Sequence, residues 1–152
     1  MNIFGLSNHI RFNKIFDACR TEDGKISWLK VSQIKDLPST FIMQYFQKLK
    51  NFGIEKNQIL EEDIINEFKN ELNWYSLVKY QNLTEKCIDD NIDIVNKLKL
   101  WHLILKSQKL SVDWIIKHID KIKEDPKLLN SIKQNGQLSK ETIETITLII
   151  SQ

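Results

Sequence analysis

Three segments of this chain share one pattern: WLKVSQIKDL from Trp28, WYSLVKYQNL from Trp74 and WHLILKSQKL from Trp101 each run ten residues from a tryptophan to a closing leucine. Self-similarity of this kind constrains a fold more than any local propensity, because a short unit buries its apolar face only against the next copy of itself. Two further segments, NFGIEKNQIL (Asn51 to Leu60) and LNSIKQNGQL (Leu129 to Leu138), keep the length and the leucine and lack the tryptophan. The closing leucines are Leu37, Leu60, Leu83, Leu110 and Leu138, separated by 23, 23, 27 and 28 residues. That period fits a two-helix repeat with insertions in the later linkers.

The fourth position of every segment is apolar (Val31, Ile54, Leu77, Ile104, Ile132), and with the first and last it marks one stripe of a short helix. Behind the leucine stands a residue suited to a helix start: Ser39 after Pro38, Glu61, Thr84, Ser111 and Ser139. Apolar residues then recur five, eight or nine, and twelve positions on, as in Ile88, Ile92 and Val95, which predicts one second helix per repeat. Four glycines and two prolines among 152 residues are too few for the many turns of an all-β chain. The expectation is an all-α fold: tandem two-helix repeats stacked as a short solenoid or compact helical bundle. It forms a single domain over 1–152, with repeats at 28–50, 51–73, 74–100, 101–128 and 129–152. Residues 1–27 read as an N-terminal cap, one helix around Ile10, Phe12, Ile15, Phe16 and Cys19 followed by a turn at Glu22-Asp23-Gly24-Lys25.

The segments Trp74 to Ile88 and Trp101 to Ile115 carry a tryptophan, a glutamine before the closing leucine (Gln81, Gln108), a Thr84 or Ser111 cap and an isoleucine. They resemble the W-x-x-I-S-x-x-Q-x-L-S-x-x-F-I repeat of phage, large-DNA-virus and some bacterial proteins, over residues 26 to 150. The Asn51 and Leu129 copies depart from it at the tryptophan. The resemblance implies a helical scaffold, with a viral source as the expectation, and transfers no catalytic residue.

Little in the side chains points to chemistry. His9, His102 and His118 fall in no metal-ligand spacing, and Cys19 to Lys30 fails as a calcium loop because cysteine and lysine hold its first and twelfth ligand places. Cys19 and Cys87 are too few for a disulfide framework, which points to a reducing compartment. Cys87 stands where other repeats place Phe41, Ile64 or Trp114, and so reads as core. The acidic residues Glu61, Glu62, Asp63, Glu67 and Glu71 suit a solvated helix face and the helix dipole. The four tryptophans read as core, and Gln58, Gln81 and Gln108 as side chains satisfying backbone groups where the two helices of a repeat meet. No glycine-rich phosphate loop, no cofactor site and no membrane span is read; the expectation is a non-enzyme in the cytoplasm, the host's if the source is viral.

What remains is surface. The second position of the first helix points outward yet reads Leu29, Phe52, Tyr75 and His102, with Val78 and Leu105 beside it, a ridge expected to bind another protein. The leading reading is a protein-binding module, in its finer form a phage or viral factor that binds and inhibits a host defence protein. The alternative is a nucleic-acid-binding accessory protein using Arg11, Lys14, Arg20, Lys30 and Lys35. Residues 1–50 carry a net +4 against −4 for residues 51–100 and +2 for the rest, a modest basic excess. Leu148, Ile149 and Ile150 leave the end of the last helix apolar on more than one face, which predicts a homodimer.

Overall fold

The computed structural model describes the backbone of residues 3–151 and the side chains of 8–151, and among them it contains thirteen α-helices and no strand. The chain is all-α. It divides into two compact units, Met1–Asn73 and Trp74–Gln152, at the boundary between the second and third repeats.

The first unit begins with α1 (Ile3–Ala18), followed by a turn in which Gly24 takes a φ of +80° and Thr21 N–H bonds Lys25 O at 2.8 Å. Ser27 caps α2 (Trp28–Gln33) by accepting Lys30 N–H. Helix α3 (Ser39–Leu49), a 3₁₀ turn at Lys50–Phe52, α4 (Ile54–Asn57) and α5 (Glu62–Glu67) complete the unit. Gly53, at φ +68°, ends the 3₁₀ turn and shortens α4 to four residues. The core gathers Phe12, Val31, Phe41, Ile42, Phe46, Ile54 and Ile64, and Phe46 stacks on Phe68 with centroids 3.8 Å apart. Each such buried side chain contributes about 2 kcal/mol. Trp28 is only half-buried, leaning on Phe16 and Tyr45.

The second unit holds α6 (Trp74–Tyr80), α7 (Glu85–Asp90), α8 (Ile92–Lys97), α9 (Trp101–Ser107), α10 (Val112–Lys117), α11 (Ile119–Glu124), α12 (Pro126–Lys133) and α13 (Lys140–Ile150). Helix α9 packs against both α6 and α12, so the first helices of successive repeats lie side by side, and α10 packs on α13. Trp74, Leu77, Val78, Trp101, Ile104, Leu105, Trp114 and Ile115 are buried. Thr84, Ser111 and Ser139 accept the backbone N–H three residues on, as their positions predict. Ser39 does not: Pro38 holds the cap place before α3, and the Ser39 hydroxyl donates to Glu61 instead, 2.6 Å away.

The second helix of a repeat is not the single rod that its spacing predicts. It breaks eight residues after the closing leucine, at Tyr45 (φ −113°, ψ 17°), Phe68 (−108°, 18°), Asn91 (−119°, 23°) and His118 (−106°, 19°). These angles fall in the bridge region, and the aromatic, amide and imidazole side chains there are weak helix formers. Asn91 also donates from Nδ2 to Cys87 O, offering that carbonyl a partner other than a helical N–H. In α13 the same place is Ile146, and the helix continues unbroken.

The last repeat is shifted by one residue relative to its sequence frame. Leu128, Ser131, Ile132 and Asn135 are buried where Trp101, Ile104, Leu105 and Gln108 are in the repeat before, so the apolar face starts at Leu128 and not at Leu129. An extra residue then leaves Leu138 only half-buried.

Buried carboxamides join consecutive repeats. Gln58 Nε2 donates to Ser32 O (3.0 Å) and Ile34 O (2.6 Å), and its Oε1 accepts Leu37 N–H (3.1 Å). Gln108 repeats this with Val78 O (2.6 Å), Gln81 O (2.9 Å) and Leu83 N–H (2.9 Å). Asn135 donates to Leu105 O and Gln108 O, both at 2.8 Å. The last carbonyls of a helix have no partner within it. Here the following repeat supplies one, so these glutamines serve the preceding repeat's helix end and not the junction inside their own. Removing the carboxamide strands two buried carbonyls and a buried N–H, at a cost of about 3 kcal/mol. Gln58→Ala and Gln108→Ala are each expected to lower the urea-unfolding free energy by that amount, while Gln134→Ala, at an exposed position, stays within about 0.5 kcal/mol of the parent.

Candidate binding surfaces

In the first unit Leu29 on α2 is 51% exposed, and Phe52 at the end of the 3₁₀ turn is 37% exposed. Arg11, Lys14, Arg20, Lys30 and Lys35 are all exposed but distributed over α1, the following loop, α2 and the loop after it. Arg20 is spent on its own loop, donating to Gly24 O at 2.9 Å and pairing with Asp17 at 3.5 Å. Beside α1 lies a hollow of about 450 Å³ with a floor of Phe12 and Phe16 and a rim of Asn13, Gln44 and Tyr45.

In the second unit Tyr75 is 54% exposed and His102 is exposed, but Val78 and Leu105 are fully buried and belong to the core. The reason is helical geometry. Positions one, four, five and eight of the frame share a face, so the fifth position, held by Val78 and Leu105, turns inward beside the fourth. At the end of α13 Leu148 is 67% exposed, with Ile149 and Ile150 half-buried.

His102 stands on a hollow of about 680 Å³ between α9 and the α11–α12 corner. Trp101 and Leu128, themselves nearly buried, form its floor, and Trp101 Nε1 donates to Asn96 Oδ1 at 2.7 Å. Lys99, Lys121 and Lys127 line it together with Glu124 and Asp125. Lys121 is paired with Glu124 at 2.9 Å, and Asp125 accepts Lys127 N–H as the cap of α12. Among the described residues Lys99 and Lys127 form no ion pair. Lys99 sits at φ +55°, where Leu100 N–H bonds Val95 O and Lys99 N–H bonds Asn96 O. This is the turn in which helices usually place glycine.

A second cluster surrounds Asp89 on α7. Its Oδ1 accepts from Trp114 Nε1 (2.9 Å) and lies 2.9 Å from His118 Nε2, and its Oδ2 pairs with Lys117 at 2.6 Å. His118 packs against Trp114 and Trp101 with centroids 4.4 and 5.3 Å away. Burial pushes the Asp89 carboxyl upward, but the hydrogen bonds from Lys117, His118 and Trp114 and the Lys117 charge outweigh it and hold the group below the usual carboxylate range. The sequence marks none of this, since the partners lie 25 to 29 residues apart. Among the described residues no group of three histidine, cysteine, aspartate or glutamate side chains is placed to hold a metal, and no helix is long and apolar enough to cross a membrane.

A carboxyl whose folded pKa lies below its unfolded value stabilises the fold at every pH above the unfolded value, about 3.9, and that contribution disappears as pH falls through the folded value. Asp89→Asn is therefore expected to lose about 2 kcal/mol at pH 7, the scale of hydrogen bonds to a charged group. Urea unfolding should show the gap to the parent closing as pH drops below about 3.9. A gap of unchanged size in acid would show that the charge contributes nothing.

Comparison of this chain with known protein-family models, with curated proteins and with solved structures found no match in any of the three.

Proposed function

We propose that this protein is a helical-repeat binding module whose partner is another protein. The observation that carries the reading is the second position of successive repeat frames, where Leu29 on α2, Phe52 on the 3₁₀ turn and Tyr75 on α6 hold large apolar groups 37 to 54% exposed. Aromatic and aliphatic side chains held on short packed helices and turns are effective anchors for a partner, because little conformational freedom is lost when they are covered. The repeats' resemblance to those of phage, large-DNA-virus and bacterial proteins supports the finer form, a viral factor that acts in the host cytoplasm by occupying a host protein. A nucleic-acid role has less support, since Arg20 is engaged with its own loop and the other basic residues are spread over separate segments.

Affinity capture from a host-type lysate, read by mass spectrometry, tests the reading. The triple variant Leu29→Ser, Phe52→Ser, Tyr75→Ser is expected to weaken the captured partner's affinity about a hundredfold with unchanged circular dichroism, since anchor residues each contribute one to a few kcal/mol. Undiminished capture by the variant would remove these residues as the binding face. The exposed Leu148 supports self-association as well: light scattering at high protein concentration is expected to give a dimer mass, reduced to the monomer by Leu148→Lys.

A further inference from the structure

We infer that the hollow of the second unit, between α9 and the α11–α12 corner, is a docking groove for an acidic, partly apolar peptide segment of a partner protein. This rests on the protein-binding reading and names the partner's chemistry at one place. Three observations converge on it.

The first is charge. Of the three lysines lining it, Lys121 pairs with Glu124, whereas among the described residues Lys99 and Lys127 form no ion pair. Asp125 lines the same hollow and keeps its negative charge while capping α12, so the three lysines and two carboxylates there leave a net charge of +1. A net positive charge beside Trp101 and Leu128 suits a segment that carries carboxylate next to an apolar side chain. A phosphodiester chain would need a continuous basic track, and here Glu124 and Asp125 interrupt it.

The second is backbone conformation. Lys99 occupies the left-handed position that ends α8, at φ +55°, where glycine is less costly. From this turn the Lys99 side chain reaches the lining of the hollow.

The third is the repeat itself. The spacing between closing leucines rises from 23 residues to 27 and then 28, and all the extra residues but the one before Leu138 fall in the linkers that contribute Asn96 to Trp101 and Lys121 to Leu128. Insertions in repeat proteins emerge on one face, often the binding face. Both insertions of this chain line one groove.

Selection of a displayed random 12-residue peptide library on the full chain tests the proposal, with the winning peptide labelled and its affinity measured by fluorescence anisotropy. Peptides with two or more aspartates or glutamates around a leucine, phenylalanine or tryptophan are expected to be enriched. Lys127→Gln and Lys99→Gly should each weaken the winning peptide about tenfold, and Lys133→Gln, outside the groove, should not. Lys99→Gly should at the same time raise the thermal midpoint, so lost binding cannot be mistaken for lost folding. Substituting the peptide's acidic residues by their amides should abolish the dependence on Lys99 and Lys127. Absence of acidic enrichment, equal binding by the lysine variants, or displacement of the peptide by single-stranded DNA with higher affinity than the peptide itself would each overturn the groove. A winning peptide that responds only to the Leu29, Phe52 and Tyr75 substitutions would overturn it too, while leaving protein binding intact.

Discussion

A helix of six or seven residues has almost no interior. Nearly every carbonyl in it belongs to the last turn and lacks a partner in the helix, and this is the difficulty that a fold of such short pieces must solve. Buried carboxamides solve it. Gln58, Gln108 and Asn135 each reach back to the repeat before and close its first helix, two carbonyls at a time. Without them the apolar faces of α2, α6 and α9 would still attract their neighbours, but the chain leaving each helix would bury unsatisfied polar groups, which outweighs much of what the apolar contacts contribute. The apolar stripe selects which faces meet, and the carboxamide fixes how far along the helix axis they meet.

The break in the second helix has a comparable role in shaping the surface. At Tyr45, Phe68, Asn91 and His118 the backbone leaves helical geometry at the same distance from the closing leucine, and the following turn starts from that residue's own carbonyl. The side chain at the break is then available to pack beyond its own helix. Tyr45 packs with Phe16 and Trp28, Phe68 stacks on Phe46, and His118 lies between two tryptophans against Asp89. Sequence spacing alone reads this stretch as one helix because five, eight and twelve suit a helical period, and a local deviation of about 50° in φ leaves that apolar period nearly intact.

How far the sequence discloses the molecule follows the same division. The helices, their caps at Thr84, Ser111 and Ser139, and the apolar positions are readable because each depends on residues within one turn of one another. The glutamines are readable as structural, but their targets lie 21 to 30 residues away and are not. Val78 and Leu105 read as part of an outward ridge only while the fifth frame position is treated as a flank; a helical wheel centred between positions four and five turns them inward. The Asp89 cluster and the pairing state of Lys99 and Lys127 depend on packing between repeats, which no local pattern encodes. The lengthened linkers were the one trace of the groove in the sequence, visible as intervals of 27 and 28 where 23 had been the rule.

The direction of the carboxamide bonds sets an order on synthesis. Each acceptor carbonyl precedes its donor amide by 24 to 30 residues, never the reverse. A helix emerging from the ribosome therefore stays unfinished until the repeat behind it has been translated, and its open end is protected only by water in the interval. Conversely, cleavage that removes α12 and the turn after it takes Asn135 away and reopens the end of α9, so damage to the second unit travels toward its N-terminal side and not the other way.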